Sequence, residues 1–244
     1  MKKEMNKRVL AEKKFHNQRF NDENENHKKR SRYYLALENW YKDYSDLILN
    51  FNGKKILEIG TGVESISMDN MSNSFEIYSI DISEEAIKMM RENEKLKNID
   101  FSVQDVHSMQ FESNYFDLIV GRGILHHLDL PIACKEIKRV LSKNGAVLFG
   151  EPLGSNVFIN IYRYLTPSIR TDDERPLSKG DMDKLKSVFG EVNVKYYGFL
   201  TLIFSIFWLK SPNFIHKLDN YLLNTMKLGK YIAWSCLIST LNNR

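Results

Sequence analysis

The sequence predicts an α/β protein: a doubly wound, mostly parallel seven-stranded sheet, with an N-terminal helical cover and C-terminal helical cap insertions. Three observations carry this. Short apolar runs alternate with amphipathic stretches along the middle of the chain, as in a parallel sheet covered on both faces. The first run breaks into Gly60-Thr61-Gly62, a turn whose glycines can take positive φ and let a ligand approach the backbone. Polar residues then follow each apolar run directly, where open α/β sheets bind their ligands.

The bulk properties narrow the classes. At 244 residues the chain can build one large domain with a substantial core. Its net charge of +4 is slight and gives no reason to expect nucleic acid. Cys134 and Cys236 are far apart and lack metal-type spacing, so two reduced thiols and no metal site are expected. The N-terminus is charged and has no apolar h-region, and the longest apolar run, 198–209, is too short to span a bilayer. A cytoplasmic location is the expectation.

Taken in order, residues 1–52 read as a helical cover. Residues 1–31 are highly charged, with a thin apolar stripe of Met5, Val9, Leu10, Phe15 and Phe20. Over 30–51, Tyr33, Tyr34, Leu37, Trp40, Tyr41, Tyr44, Leu47 and Ile48 recur at helical spacing. That aromatic face suits core packing, with Tyr33 and His16 as candidate substrate contacts if the cover folds over a pocket.

Asn52-Gly53 turns into a core over 53–151. Its strands are expected at 56–59, 75–80, 99–103, 116–120 and 146–150. A helix from Ser83, as N-cap, runs through Lys95; another over 131–141 stops at Lys143-Asn144-Gly145. Residues 152–177 read as a lid insertion. Residues 178–244 complete the core, with a helix at 178–189 capped by Ser178 and a sixth strand at 191–197. A helical cap follows at about 200–228, as two helices near 200–209 and 212–227, before a last strand near 231–238.

The strand ends carry the chemistry. Asp81 lies 21 residues beyond Gly60, near the roughly 20-residue spacing at which a carboxylate meets ribose hydroxyls. Asp105, after the third strand, can accept from an adenine amine, with Val106 beside the ring. The fourth strand runs into Gly121-Arg122-Gly123-Ile124-Leu125-His126-His127 and the fifth into Gly150-Glu151-Pro152. His126, His127 and Glu151 are the candidate catalytic residues; His127 is expected to pack against or cap the next helix.

Several of these segments resemble the successive motifs of class I S-adenosylmethionine-dependent methyltransferases, and most closely the small-molecule, methyltransferase type 11-like group. They are Leu57-Glu58-Ile59-Gly60-Thr61-Gly62, Ser79-Ile80-Asp81-Ile82-Ser83, Gln104-Asp105-Val106, residues 116–128 and residues 140–148. The resemblance implies a Rossmann-like methyltransferase fold and S-adenosyl-L-methionine as cofactor. It implies that Glu58, Gly60 and Gly62, with Thr61 between the glycines, hold the methionine part. Asp81 would bind the ribose and Ile82 would lie against the adenine. Asp105 and Val106 would fix its amine and ring, and Gly121 and Arg122 would line the sulfonium side. Glu64 stands where family members often have a further glycine. A carboxylate there would repel pyrophosphate and suits a cationic methyl donor better than NAD.

Beyond Glu151 the resemblance narrows to a bacterial subgroup with Glu-Pro-Leu-Gly and Thr-Pro…Arg-Thr motifs, in which a His commonly stands at the place of Arg175. Within the lid, Arg163 and Arg170 are candidate anchors for an acceptor carboxylate or phosphate. Their alternative is to pair with Asp172, Asp173 and Glu174 and hold the lid together.

The function expected is methyl transfer to a small, partly apolar acceptor, at a hydroxyl or carboxylate oxygen, in small-molecule biosynthesis. The rivals are an NAD-type oxidoreductase, a catalytically silent S-adenosylmethionine-binding protein and an RNA methyltransferase. The last is disfavoured because no Asn-Pro-Pro-Tyr-type motif follows the fourth strand. Residues 198–217 read as a second wall of an apolar pocket or, alternatively, as a peripheral membrane contact through Trp208, Lys210 and Lys217.

Overall fold

The computed structural model of the chain describes residues 10, 13–14, 35–62, 65, 75–93, 99–154, 176–206 and 210–241. Seven strands form one sheet: β1 Lys55–Ile59, β2 Glu76–Asp81, β3 Ile99–Val103, β4 Phe116–Arg122, β5 Leu141–Pro152, β6 Asn193–Tyr197 and β7 Ser235–Ser239. Their order is β3-β2-β1-β4-β5-β7-β6, and β7 runs antiparallel to both β5 and β6 while the other pairs are parallel. The order reverses between β2-β1 and β4, which opens a crevice at the carboxyl ends of β1 and β4.

Alternation along the strands divides the core between the two sheet faces. Leu57, Ile59, Ile119, Val147 and Phe149 pack towards α3, Leu130–Val140, and α4, Lys179–Phe189. Ile56, Ile77, Leu118, Val120 and Leu148 pack towards α1, Glu38–Leu49, and α2, Glu84–Glu92. Trp40, Tyr44 and Ile48 form the buried stripe of α1, so the described part of the aromatic face is core packing. Trp40 fits because Gly150 has no side chain: a Cβ there would lie 1.9 Å from the indole Cζ2.

Both predicted N-caps form. Ser83 Oγ accepts from Ala86 N at 3.2 Å, and Ser178 and Asp181 make a reciprocal capping box. Four boundaries differ most from the sequence expectation. Helix α2 ends at Glu92, where Asn93 turns extended, short of the expected Lys95. Helix α3 ends at Val140 and β5 begins at Leu141, because Leu141 already pairs with Phe116 before a register shift. The segment expected to be helical to residue 227 is α6, Asn213–Asn220, followed by a π-helical turn over Tyr221–Thr225 and Lys227 in a left-handed conformation (φ 58°). The last strand starts at Ser235, because α7, Gly229–Ile232, turns against the Tyr196 ring first. The remaining cap helix is α5, Leu200–Ile206.

Candidate active site

The glycine turn is stitched to the neighbouring strand end. Gly60 and Gly62 take φ of 71° and 56°, and the Gly60 amide donates to Ile80 O at 2.8 Å. A Cβ on Gly60 would lie 2.8 Å from the side chain of Ile124, which also packs against Gly121. The loop after β4 therefore closes directly onto the turn after β1.

Under the turn sits Glu58, only 2 % exposed. Its Oε2 accepts from Ser65 Oγ and Ser79 Oγ at 2.6 Å each and from Thr61 Oγ1 at 3.2 Å. Its Oε1 is 4.0 Å from Arg122 Nη2. Three hydroxyl donors and a guanidinium satisfy a carboxylate that burial alone would disfavour. Two of those donors come from the turn, so Glu58 holds the loop in shape. The Tyr44 hydroxyl is buried nearby without a hydrogen-bond partner among the described residues. Burial pushes its pKa well above the ordinary phenol range; Arg122 opposes that rise, while Glu58 and Glu151 add to it.

Asp81 and Asp105 share a local device. Asp81 Oδ1 accepts from Ser83 N at 2.8 Å and Asp105 Oδ1 from His107 N at 2.9 Å, two residues on in each case. Asp81 Oδ2 also accepts from Gly62 N at 2.9 Å, tying β2 to the glycine turn. Asp105 Oδ1 additionally meets His107 Nδ1 at 2.6 Å, and His107 Nε2 accepts from Asp129 N at 3.0 Å. Since Nε2 is the acceptor, Nδ1 carries the proton and donates to Asp105. Burial raises the Asp105 pKa, but the hydrogen bonds from His107 outweigh it and hold the carboxyl below its ordinary value. Ile82 is half-buried and Val106 is buried beside these acids.

The second cluster joins β4 to β5. Glu151 is fully buried; its Oε1 accepts from Ile124 N at 3.0 Å and Leu125 N at 2.8 Å, and its Oε2 meets His126 Nδ1 at 2.7 Å. The His126 and His127 ring centroids lie 4.2 Å apart. Helix α3 is capped by Asp129, whose Oδ1 accepts from Ile132 N at 3.4 Å, and not by His127. The Gly123 amide donates to Gly150 O at 2.7 Å, which sets this turn against the end of β5.

Thus Glu58, Gly60, Thr61, Gly62, Asp81, Ile82, Asp105, Val106, Gly121 and Arg122 lie along the adjacent carboxyl ends of β1 to β4, and His126, His127 and Glu151 gather beside β5. His16, Tyr33, Glu64, Arg163, Arg170 and Arg175 lie outside the described residues. The sequence reading missed Ser79, His107 and Ile124 as parts of the site. A His two residues after a strand-end Asp was the available signal for His107.

A doubly wound sheet with a glycine turn, two amide-held acids and a buried carboxylate under the turn is the arrangement of a nucleotide-binding α/β fold. Residues 57–149 match the family model of the methyltransferase domain. A demethylmenaquinone methyltransferase of Thermotoga maritima is 29 % identical over 120 residues, covering 48 % of this chain and 52 % of that protein. A malonyl-[acyl-carrier protein] O-methyltransferase of Bacillus anthracis is 30 % identical over 99 residues, covering 39 % and 36 %. The chain thus spans about half or less of the length of these two relatives. Among solved structures, a SAM-dependent methyltransferase from Archaeoglobus fulgidus superposes with a TM-score of 0.61 at 13 % identity, covering 88 % of this chain and 99 % of that one. Residues 57–149 are thus similar to the methyltransferase domain, and the chain shares its fold with S-adenosylmethionine-dependent methyltransferases, whose cofactor can be set against the residues present.

The residues present fit that cofactor. The acids at the ends of β1, β2 and β3 suit a sulfonium cation and ribose hydroxyls, and among the described residues the buried Tyr44 hydroxyl has no hydrogen-bond partner.

Proposed function

We propose that the chain transfers a methyl group to a hydroxyl or carboxylate oxygen of a small, partly apolar acceptor, with His126 as general base where the acceptor is a hydroxyl. The observation that supports this most is the buried Glu151–His126 pair, 2.7 Å apart, at the mouth of the turn after β4. The names of the two relatives add support, since one names an apolar quinone-type substrate and the other transfer to oxygen.

S-adenosylmethionine, when bound, supplies an electrophilic methyl group on a sulfonium. Asp81 offers its carboxylate to the ribose and Asp105, oriented by His107, to the adenine amine. Glu58 keeps the glycine turn in shape. Glu151 keeps the proton of His126 on Nδ1, which makes Nε2 the proton acceptor. Because Glu151 is fully buried with both oxygens engaged, it acts through His126 and not as the base itself. Alignment alone suffices for a carboxylate acceptor.

The test uses isotopically methyl-labelled S-adenosylmethionine and a panel of phenols, hydroxylated rings, aliphatic and aromatic acids, and amines, read by mass spectrometry. Labelled ethers or esters are expected. His126→Ala should lower ether formation by roughly 10²–10⁴-fold at unchanged affinity for S-adenosylhomocysteine. Products labelled only at nitrogen or carbon overturn the oxygen assignment. Cofactor binding with no product across the panel favours a silent binding protein.

A further inference from the structure

The C-terminal cap exposes an apolar surface that its own packing does not require. Of the ten large hydrophobic side chains exposed among the described residues, six lie between 203 and 231: Ile203, Phe214, Leu218, Tyr221, Met226 and Tyr231. Helix α6 shows the arrangement most clearly. Ile215, Asp219 and, one turn on, Leu223 form its buried stripe, which is the packing a surface helix needs. Phe214, Leu218 and Tyr221 form a second stripe at i, i+4 and i+7, and are 64 %, 43 % and 53 % exposed. Lys217 stands within that stripe.

The charges of the same segment have one sign at the surface. Residues 200–231 contain Lys210, Lys217, Lys227 and Lys230 against a single acid, Asp219. Asp219 is only 4 % exposed, and its carboxylate accepts from Phe199 N, Leu200 N and Thr201 Oγ1. It is spent on the start of α5. Lys210 pairs with Glu38 on α1 at 2.8 Å, Lys217 lies on α6 itself, and Lys227 and Lys230, the latter 4.8 Å from the Tyr231 ring centroid, follow within the same segment.

We propose that this face docks on an anionic lipid bilayer, with α6 lying along the interface. Phe214, Leu218 and Tyr221 enter the headgroup–acyl boundary while the lysines meet lipid phosphates. No helix among the described residues is long and apolar enough to cross a membrane, so the contact is peripheral. Charge complementarity selects this occupant. A second copy of the chain across a twofold axis would set lysines against lysines. A nucleic acid would use the lysines and tyrosines but has no use for Ile203, Leu218 and Met226. The face is independent of the acceptor identity proposed above.

The test is sedimentation of the full chain with vesicles of phosphatidylcholine alone or mixed with phosphatidylglycerol. The chain should sediment with the mixed vesicles, remain in solution with the neutral ones, and be released by added salt. The double substitution Phe214→Ser, Leu218→Ser should weaken partitioning at least tenfold, and Lys217→Gln or Lys227→Gln roughly fivefold each. Affinity for S-adenosylhomocysteine should be unchanged in all three, which separates lost docking from lost folding. Equal partitioning to neutral and anionic vesicles, or none to either, overturns the proposal. So does a dimer in light scattering that the Phe214→Ser, Leu218→Ser variant abolishes, or RNA displacing the vesicles.

Discussion

The acids on the two sides of the sheet are used in opposite ways. On the β1–β3 side, Asp81 and Asp105 are held by backbone amides two residues along, yet stay half-exposed; the Asp105 side chain is 33 % accessible. On the β5–β7 side, Glu151 and Asp219 are buried at 0 % and 4 % and spend their oxygens on backbone amides of turns that other strands carry. We propose that such a side chain meets the cofactor where it stays partly exposed, with Asp81 also tied to the Gly62 amide and Asp105 to the His107 imidazole. An acid serves as a structural cap where the chain must turn over a buried surface. Burial, not residue type, separates the two roles.

The largest expected effect breaks the structural side. Glu151→Ala would strand the buried Leu125 amide, the part-buried Ile124 amide and the His126 imidazole, at about 1–3 kcal/mol per lost partner. A loss of stability of roughly 3–5 kcal/mol is expected in urea denaturation. A loss below about 1 kcal/mol would mean that Glu151 is not the organiser of this turn. Asp105→Asn should do the reverse. Stability at neutral pH should fall by less than for Glu151→Ala, by the contribution of the depressed Asp105 carboxyl alone, while affinity for S-adenosylhomocysteine falls about tenfold, as for one hydrogen bond to a charged group.

The sign of a pH effect follows from the depressed pKa of Asp105. Its contribution to stability is complete above the ordinary carboxylate value of about 3.9 and is lost as pH falls towards its lower folded value. Stability of the parent protein should therefore decline more steeply below about pH 4 than that of Asp105→Asn. Parallel acid limbs in the two proteins would contradict the His107–Asp105 geometry.

The smallest effect sharpens the cofactor side. His107→Gln removes the imidazole bridge between Asp105 and the amide of Asp129. Preference for S-adenosylhomocysteine over its inosine analogue should fall roughly fivefold, about 1 kcal/mol, since the amine contact loses its orientation. Weaker binding of both ligands by the same factor would point to general loosening.

The cofactor side was legible in the sequence because its features are local. A glycine turn needs glycines where φ is positive, and the acids lie at or within two residues of their strand ends, so Gly60, Gly62, Asp81 and Asp105 stand out as candidates. The mostly parallel character of the sheet also followed from the alternation of apolar runs. The rest depends on contacts distant in sequence. Ser79 reaches Glu58 across 21 residues and Glu151 reaches Ile124 across 27, and no local pattern marks either. The C-terminal boundaries were missed for a related reason. Apolar residues from 200 to 238 suit helix and strand alike, and Tyr196 packing against Gly229 is what turns the chain before β7.

The central claim, that the turn after β1 with Asp81 binds a methyl donor, is tested most directly by calorimetric titration of the parent protein and Asp81→Ala with S-adenosylhomocysteine and with NADH. The parent should bind S-adenosylhomocysteine and not NADH. Asp81→Ala should bind S-adenosylhomocysteine at least about a hundredfold more weakly, as two hydrogen bonds to a charged group are lost. Equal affinity in the two proteins, or binding of NADH in preference, would contradict it.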